Sequence, residues 1–249
     1  MRWISVAEAA ERLGVGVRRV RQLVDQGDLP ASRIGRSWAI DSAAVDRRLE
    51  RGSPPGRPYS ARSSWRMAEL ADAIVRDQEG NLCLLELKQV PRGQQAEQRW
   101  RSIRSLRSLL AHSDPDVVAA MLRSRSGRVK PRYVHPSLLR KLSEDHRLMI
   151  SGARAAENFG DLAADEQLEA YVKSGDLPVV HDEYGLQKPA DPAKANVILR
   201  VIKDDLAWNA RAAPLLMVAA DLRERDNARA REASDELFRR LHSALEFVE

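Results

Sequence analysis

The sequence is poor in cysteine and in aromatic residues, and it has no long apolar run. Cys83 is the single cysteine of 249 residues, which excludes an intrachain disulfide and a metal site built from cysteines. No apolar segment approaches the roughly 18–20 residues that a membrane helix needs, and the first residues lack a signal-peptide pattern. We therefore expect a cytoplasmic protein that does not enter a membrane and that folds around an ordinary hydrophobic core.

Several catalytic and cofactor-binding patterns are also missing. The five histidines never recur at i, i+4, so no helix offers a histidine pair to a metal ion. The sequence has no phosphate-binding glycine loop, no Ser/His/Asp order and no paired-cysteine motif. We therefore expect no metal site, no cofactor and no enzymatic activity.

Positive charge is concentrated in the first quarter of the chain. Residues 1–62 contain 12 Arg and no Lys against 7 Asp and Glu, which accounts for the whole formal net charge of +5. The remaining residues are balanced, with 29 basic and 29 acidic side chains. A basic excess confined to one region is typical of a nucleic-acid-binding domain.

The start of the chain predicts two short helices joined by a glycine-bearing turn. Ser5 and Glu8 have the spacing of a capping box at the start of the first helix, and Gly14 is suited to end it. A second, basic helix is predicted over residues 17–26. Its apolar positions, expected to face the core, are Val17, Val20, Leu23 and Val24.

A β-wing follows the two helices. Two short strands, 29–34 and 38–40, flank a tight turn at Gly35-Arg36, and a third helix is predicted over 43–49. Helix, turn, helix, wing and helix within about fifty residues make a winged helix-turn-helix. A small helical hairpin that only packs on the rest of the chain is the alternative.

The segment V-A-E-A-A-E-R-L-G-V-G-V-R-R-V-R-Q-L-V-D-Q-G-D-L-P-A-S-R-I-G-R-S-W-A-I resembles the DNA-binding domains of excisionase and MerR type. The resemblance implies binding to double-stranded operator DNA. In this motif the second helix lies in the major groove and the wing contacts phosphate or the minor groove. The predicted DNA-binding residues are Arg18, Arg19, Arg21 and Gln22 on the helix, with Arg33, Arg36 and Ser37 on the wing.

A Pro- and Gly-rich segment, R-G-S-P-P-G-R-P-Y-S-A-R, separates this region from the rest of the chain. Its prolines stop the preceding helix and favour an extended tether. We therefore predict a winged helix-turn-helix domain over 1–52, a basic linker over 53–62 and a C-terminal α/β domain over 63–249. The predicted fold class is α+β, mainly α.

The C-terminal region shows both helical and strand patterns. A long helix is predicted over 94–111, with Trp100 on its apolar face, and the last helix is predicted to begin at a cap on Asp226. The β-branched segment 196–202 and the apolar segment 215–220 predict two strands.

The chain after the helix-turn-helix is similar to actinobacterial helix-turn-helix proteins with a C-terminal domain of the AbiEi antitoxin type. The similarity lies in three segments, which begin R-G-S-P-P-G at Arg51, N-V-I-L-R-V-I at Asn196 and A-P-L-L-M-V-A-A-D-L at Ala213. The resemblance implies an autorepressor of a toxin–antitoxin operon that neutralises a co-encoded toxin, which is often a nucleotidyltransferase. Because one winged helix covers only a short half-site, we also expect a homodimer built through residues 63–249.

Two other functions remain open. An excisionase-like architectural protein would bend DNA, but it would need only the N-terminal region. A Mg²⁺-dependent nuclease would use Asp77, Glu86 and Lys88, because two carboxylates and a lysine at such spacing can hold the metal and an attacking water. The same Glu-x-Lys spacing also arises by chance on any strand with one polar face.

Overall fold

A computed structural model describes residues 3–25, 29–35, 37–50, 57–78, 94–157, 167–191, 194–203, 206, 211–225 and 227–246. The segment that carries Cys83, Glu86 and Lys88 lies outside these residues, as do Arg36 and Asp226. Over the described ranges, no helix is long and apolar enough to cross a membrane.

The N-terminal region folds as helices packed on a small antiparallel sheet. Its elements are β1 (Trp3–Ser5), α1 (Val6–Leu13), α2 (Val17–Asp25), β2 (Ala31–Ile34), β3 (Ser37–Asp41) and α3 (Ser42–Glu50). The strand order is β1-β3-β2, so β3 pairs on both sides. The short strand β1 was not predicted, because three residues cannot establish an alternating pattern. This arrangement is a winged helix-turn-helix.

Local sequence features explain the bounds of the two N-terminal helices. The Ser5 hydroxyl accepts a hydrogen bond from the Glu8 amide at 3.0 Å, and Gly14 ends α1 with a φ of 64°. In α2, Val20 and Leu23 are buried as predicted. The predicted inward position of Val17 is wrong, since 41% of this residue is exposed at the first position of the helix.

The C-terminal region is larger and mixes helices with a second sheet. Its helices are α4 (Ala61–Gln78), α5 (Gln94–Leu110), α6 (Pro115–Met121), α7 (Leu139–Ser143), α8 (Gly152–Ala156), α9 (Leu177–Tyr184), α10 (Leu215–Arg223) and α11 (Ala228–Glu246). Its strands are β4 (Arg128–Arg132), β5 (Leu148–Ser151), β6 (Leu168–Lys173) and β7 (Val197–Ile202). Short 3-10 turns occupy Arg123–Arg125 and Pro136–Leu138. The molecule is therefore mainly helical α+β, with a mixed α/β C-terminal domain.

The C-terminal sheet has the strand order β4-β7-β6-β5. The central strands β6 and β7 are parallel, whereas β4 and β5 pair antiparallel at the two edges. One face, which includes Leu168, Ala170 and Leu199, packs with Val180 of α9. The other face, which includes Tyr171 and Ile202, belongs to the larger apolar cluster formed with α4, α10 and α11.

The strand predicted over 215–220 is wrong, because this segment forms helix α10. Every residue from Leu215 to Leu222 is buried, so the helix is enclosed on all sides and shows no amphipathic period. A short apolar run of this kind does not distinguish a buried strand from a buried helix. The Asp72 carboxylate accepts a hydrogen bond from the Leu215 amide at 2.7 Å and satisfies one amide at the start of the helix.

One further detail of the prediction needs correction. Trp100 is 64% exposed, because α5 buries its C-terminal half, through Leu106, Leu109 and Leu110, where it packs against α4. At the start of α11, the Asn227 side chain accepts a hydrogen bond from the Ala230 amide at 2.6 Å, whereas the predicted cap, Asp226, lies outside the described residues.

Candidate nucleic-acid interface

Helix α2 has one face in the core and one basic, polar face in solvent. Val20 and Leu23 hold the inner face, whereas Arg18, Arg21 and Gln22 are exposed. Arg19 is half-buried, and its guanidinium donates a hydrogen bond to the Gln22 side-chain oxygen at 3.4 Å. The four residues predicted on this helix therefore lie within two adjacent turns, on or beside its exposed face.

The charges on this surface are available to a ligand. Within the part of the chain that the structure describes, Arg18, Arg21 and Arg33 have no acidic partner within ion-pair distance. Guanidinium groups without an internal partner can exchange water for phosphate oxygens or for the edges of guanine bases. The surface therefore has the chemistry that duplex DNA requires.

The wing carries the remaining predicted residues. Arg33 lies on β2 opposite Trp38 of β3, and its guanidinium carbon is 5.9 Å from the centre of the Trp38 ring. This cation–π contact holds the arginine side chain along the wing. Ser37 is exposed and pairs with Ile34 beside the turn, where Gly35 has a φ of 59°. Arg36 lies outside the described residues.

One arginine of the same region has a structural role instead. Arg12 at the end of α1 donates to the Ser42 hydroxyl at 2.9 Å and to the Asp46 carboxylate at 2.6 Å. These bonds join α1 to α3 across the helix-turn-helix. The position of α2 relative to the wing then follows from packing in the small core that contains Ile4, Val20 and Ile40.

The N-terminal geometry agrees with a comparison to known families. Residues 3–53 match the family model described as a helix-turn-helix domain. The N-terminal region is therefore a helix-turn-helix domain of the excisionase-like class, and such a domain implies DNA binding. No curated protein and no solved structure was found to match the chain. The C-terminal domain is thus not identified by comparison.

A cluster of buried charges in the C-terminal domain was missed by sequence reasoning. Arg125 and Asp221 are both buried, and the Arg125 guanidinium lies 2.6 Å from the Asp221 carboxylate. Arg200 is also buried and pairs with Asp221 at 3.0 Å and with Glu169 at 3.1 Å. Asp221 directly follows the segment predicted as a strand, whereas in the structure it lies inside α10 and joins that helix to the sheet. The available signal was Arg200 itself, a charged residue inside an apolar strand pattern.

Burial and neighbouring charges act in opposite directions on the acids of this cluster. Burial raises the pKa of Glu169, although the charge of Arg200 opposes the shift. Burial also pushes the pKa of Glu224 upward, but Arg125 and Arg200 outweigh it and lower the pKa to about 2. The Tyr171 hydroxyl donates to Asp221 at 3.0 Å, and burial raises the pKa of Tyr171 well above its ordinary value.

The geometry of the cluster favours a structural role over catalysis. Its central groups, Arg125, Arg200 and Asp221, are at most 3% exposed, so a substrate cannot reach them without opening the domain. Among the described residues, no group of three or more His, Cys, Asp or Glu side chains is arranged to hold a metal ion. Asp77 lies in α4, whereas Glu86 and Lys88, the other two residues of the predicted nuclease site, lie outside the described residues.

Proposed function

We propose that this chain is a sequence-specific DNA-binding transcriptional regulator. The observation that carries the proposal is helix α2, which buries Val20 and Leu23. It exposes Arg18 and Arg21, and neither has an ion pair among the described residues. A structural helix gains nothing from leaving cations unpaired, whereas a recognition helix uses them on phosphates and bases.

The proposed docking places α2 in the major groove. Arg18 and Arg19 lie near the start of the helix, the end that reaches base edges in this motif. Arginine can donate two hydrogen bonds to a guanine, and Gln22 can contact an adenine. Arg21 then lies closer to the backbone, and Arg33, Arg36 and Ser37 of the wing contact phosphate or the minor groove.

The docking is tested with a variant in which Arg18, Arg19 and Arg21 are all alanine. Each lost base contact should cost about 1–3 kcal/mol, so the triple variant should bind DNA from its own upstream region about 100-fold more weakly or worse. The control replaces three exposed arginines of the C-terminal domain, Arg104, Arg140 and Arg229, with alanine and changes the net charge equally. Equal binding by wild type and the α2 variant in a gel-shift titration would overturn the docking.

We further propose that the chain acts as a homodimer. One winged helix-turn-helix domain covers a short half-site and binds weakly alone. Two such domains on repeated half-sites would together give the affinity that a regulator needs. Residues 63–249 would form the interface. Sedimentation that shows only monomers, both free and on operator DNA, would contradict this proposal.

The finer proposal is that the chain is the antitoxin and autorepressor of a toxin–antitoxin operon. The residue patterns shared with AbiEi-type antitoxins support it, as does the enclosed position of the C-terminal charge cluster, which favours a platform over an active site. The toxin, of nucleotidyltransferase type, would bind residues 63–249. If toxin binding raises the affinity of the chain for DNA, then DNA binding must raise its affinity for the toxin by the same factor.

Co-purification of the full chain with its neighbouring gene product tests this role, beside a growth assay of the neighbour with and without the chain. Rescue of growth supports the antitoxin, and a harmless neighbour excludes it. The proposed absence of enzymatic activity is tested by incubating plasmid DNA with the chain and Mg²⁺. Cleavage that is lost in Glu86→Ala and in Lys88→Ala would establish the nuclease instead.

An excisionase-like architectural function is the second candidate, because the N-terminal match is to an excisionase-like class. Such a protein bends recombination-site DNA and acts beside an integrase. Permuted-site gel shifts measure the bend, and a neighbouring integrase gene would favour this function. The long C-terminal domain favours the regulator, because bending requires only the N-terminal region.

A further inference from the structure

A row of cations lies along one edge of the C-terminal sheet, as the described strands form it. Strand β4 is an edge strand and carries Arg128, Lys130 and Arg132 at every second position. Because side chains alternate along a strand, these three share one face of the sheet. No acidic side chain lies within ion-pair distance of them in the ranges that the structure describes.

A cleft of about 290 Å³ opens beside this edge, and Arg128, Lys130 and Lys203 line it together with Ser174 and Leu177. Lys203 follows the end of β7, so the fold brings it to the row from a distant part of the sequence. Burial, and then the charges of Arg132 and Arg128, lower the pKa of Lys130. The positive charges of this edge are thus crowded, and no described carboxylate lines the cleft.

We propose that this edge, formed by Arg128, Lys130, Arg132 and Lys203, is a second DNA contact that binds the phosphate backbone. The inference rests on the proposed DNA-binding function, but it concerns a surface that the helix-turn-helix does not contain. It assigns to the C-terminal domain a share of the affinity and none of the sequence specificity.

The spacing of the row favours an extended polyanion over a single phosphate. Two residues along a strand span about 6.7 Å. Neighbouring phosphates on one strand of a DNA duplex rise about 3.4 Å along the axis, and the strand also winds around it, so they are separated in space by roughly twice that rise. Three cations at this interval match a run of backbone phosphates.

The composition of the cleft favours the backbone over the bases. Binding of unstacked bases uses aromatic side chains as platforms. None of the described residues that line this cleft is aromatic. Lys and Pro on an edge strand also discourage pairing with other strands, but that role does not require Lys203, which comes from a different strand, or a cleft.

The test compares two variants of the full chain on operator DNA across a series of salt concentrations, with fluorescence anisotropy as the readout. The first variant carries Arg128→Gln, Lys130→Gln and Lys203→Gln. Its log–log salt slope should be shallower by about 2.7, since each phosphate contact contributes about 0.9. The ratio of operator to scrambled-duplex affinity should not change, because phosphate contacts carry no sequence information.

The matched control carries Arg104→Gln, Lys188→Gln and Lys194→Gln, three exposed positions with the same loss of charge. It should retain the wild-type slope. A double variant, Arg128→Gln and Lys203→Gln, changes only exposed residues, so it should retain the fold, which circular dichroism checks. Its log–log salt slope should be shallower than that of wild type by about 1.8.

Four outcomes would overturn the inference. An unchanged slope in both edge variants rejects this surface while it leaves the helix-turn-helix proposal intact. An equal change in the control shows a net-charge effect only. Stabilisation of the chain by inorganic phosphate, lost in the edge variants without any change in slope, shows a small-anion site instead. If the wild-type chain does not bind DNA, the proposed function fails and the inference fails with it.

Discussion

Arginine has opposite environments in the two regions of this molecule. In the N-terminal domain, Arg18 and Arg21 are exposed and have no ion pair among the described residues. In the C-terminal domain, Arg125 and Arg200 are buried and are surrounded by the acids Asp221, Glu169 and Glu224. An exposed guanidinium is hydrated and can exchange its water for the oxygen atoms of a ligand at a small cost in free energy. A buried guanidinium is stable only while its acidic partners remain in place.

The comparison teaches what each region can tolerate. A buried ion pair is weak evidence for net stability, but the loss of one partner leaves an uncompensated charge in the interior. An exposed cation contributes little to folding. Substitutions of the exposed N-terminal arginines should therefore change binding more than folding, and substitutions in the buried cluster should do the reverse.

The largest expected effect is that of Arg125→Ala. The change leaves Asp221 buried without its closest cation, so the free energy of unfolding should fall by about 3–5 kcal/mol. Arg104→Ala, at an exposed position of α5, should change it by less than about 0.5 kcal/mol. Urea unfolding followed by circular dichroism measures both. Equal stabilities would contradict the structural role of the cluster.

Gly152→Ala should cause the second-largest fall in the free energy of unfolding. Gly152 has a φ of 63°, and a Cβ there would lie 2.3 Å from the Glu169 carboxylate. Backbone strain and displacement of Glu169 together should cost about 2–3 kcal/mol. The control is Gly185→Ala, which has a φ of 59° but no atom within 4 Å of the added Cβ, and it should lose only about 1 kcal/mol. Thermal unfolding distinguishes the two, and an equal loss would mean that Glu169 is not held against Gly152.

A smaller, pH-dependent effect is expected at Asp145. The side-chain hydrogen bond from Arg147, with the two groups 2.9 Å apart, lowers the pKa of Asp145 to about 2. Because the folded pKa lies below the unfolded one, this stabilisation is complete above pH 4 and is lost as the pH falls towards 2. It amounts to at most about 2.5 kcal/mol. Asp145→Asn should therefore flatten the stability–pH curve between pH 4 and 2, and a curve parallel to that of wild type would contradict the assignment.

The smallest effect is expected in the N-terminal domain. Ser5→Ala removes the hydroxyl that accepts from the Glu8 amide, which should cost about 1 kcal/mol. Ser5→Asp keeps a capping oxygen and should retain most of that stability. Thermal unfolding checks the pair, and operator affinity below the melting temperature should not change. Loss of DNA binding at low temperature in Ser5→Ala would show that the cap also positions α2.

Local patterns predicted much of the fold, in both regions. The predicted end of the first helix at Gly14 was confirmed. The strand at Val197–Ile202 was also confirmed. Each depends on residues close together in sequence. The strand predicted over 215–220 was wrong, because the environment that decides between helix and strand there comes from distant elements.

The sequence by itself determined the winged helix-turn-helix, its bias of positive charge and the caps of α1, because these follow from spacings of a few residues. It also predicted which side chains could contact DNA. Only the tertiary structure decided that Arg125, Arg200 and Asp221 meet in the interior and that Lys203 joins the basic edge of β4. The physical reason is that a charge is stable in the interior only beside its counter-charge, and here the partners lie up to 96 residues apart in the chain.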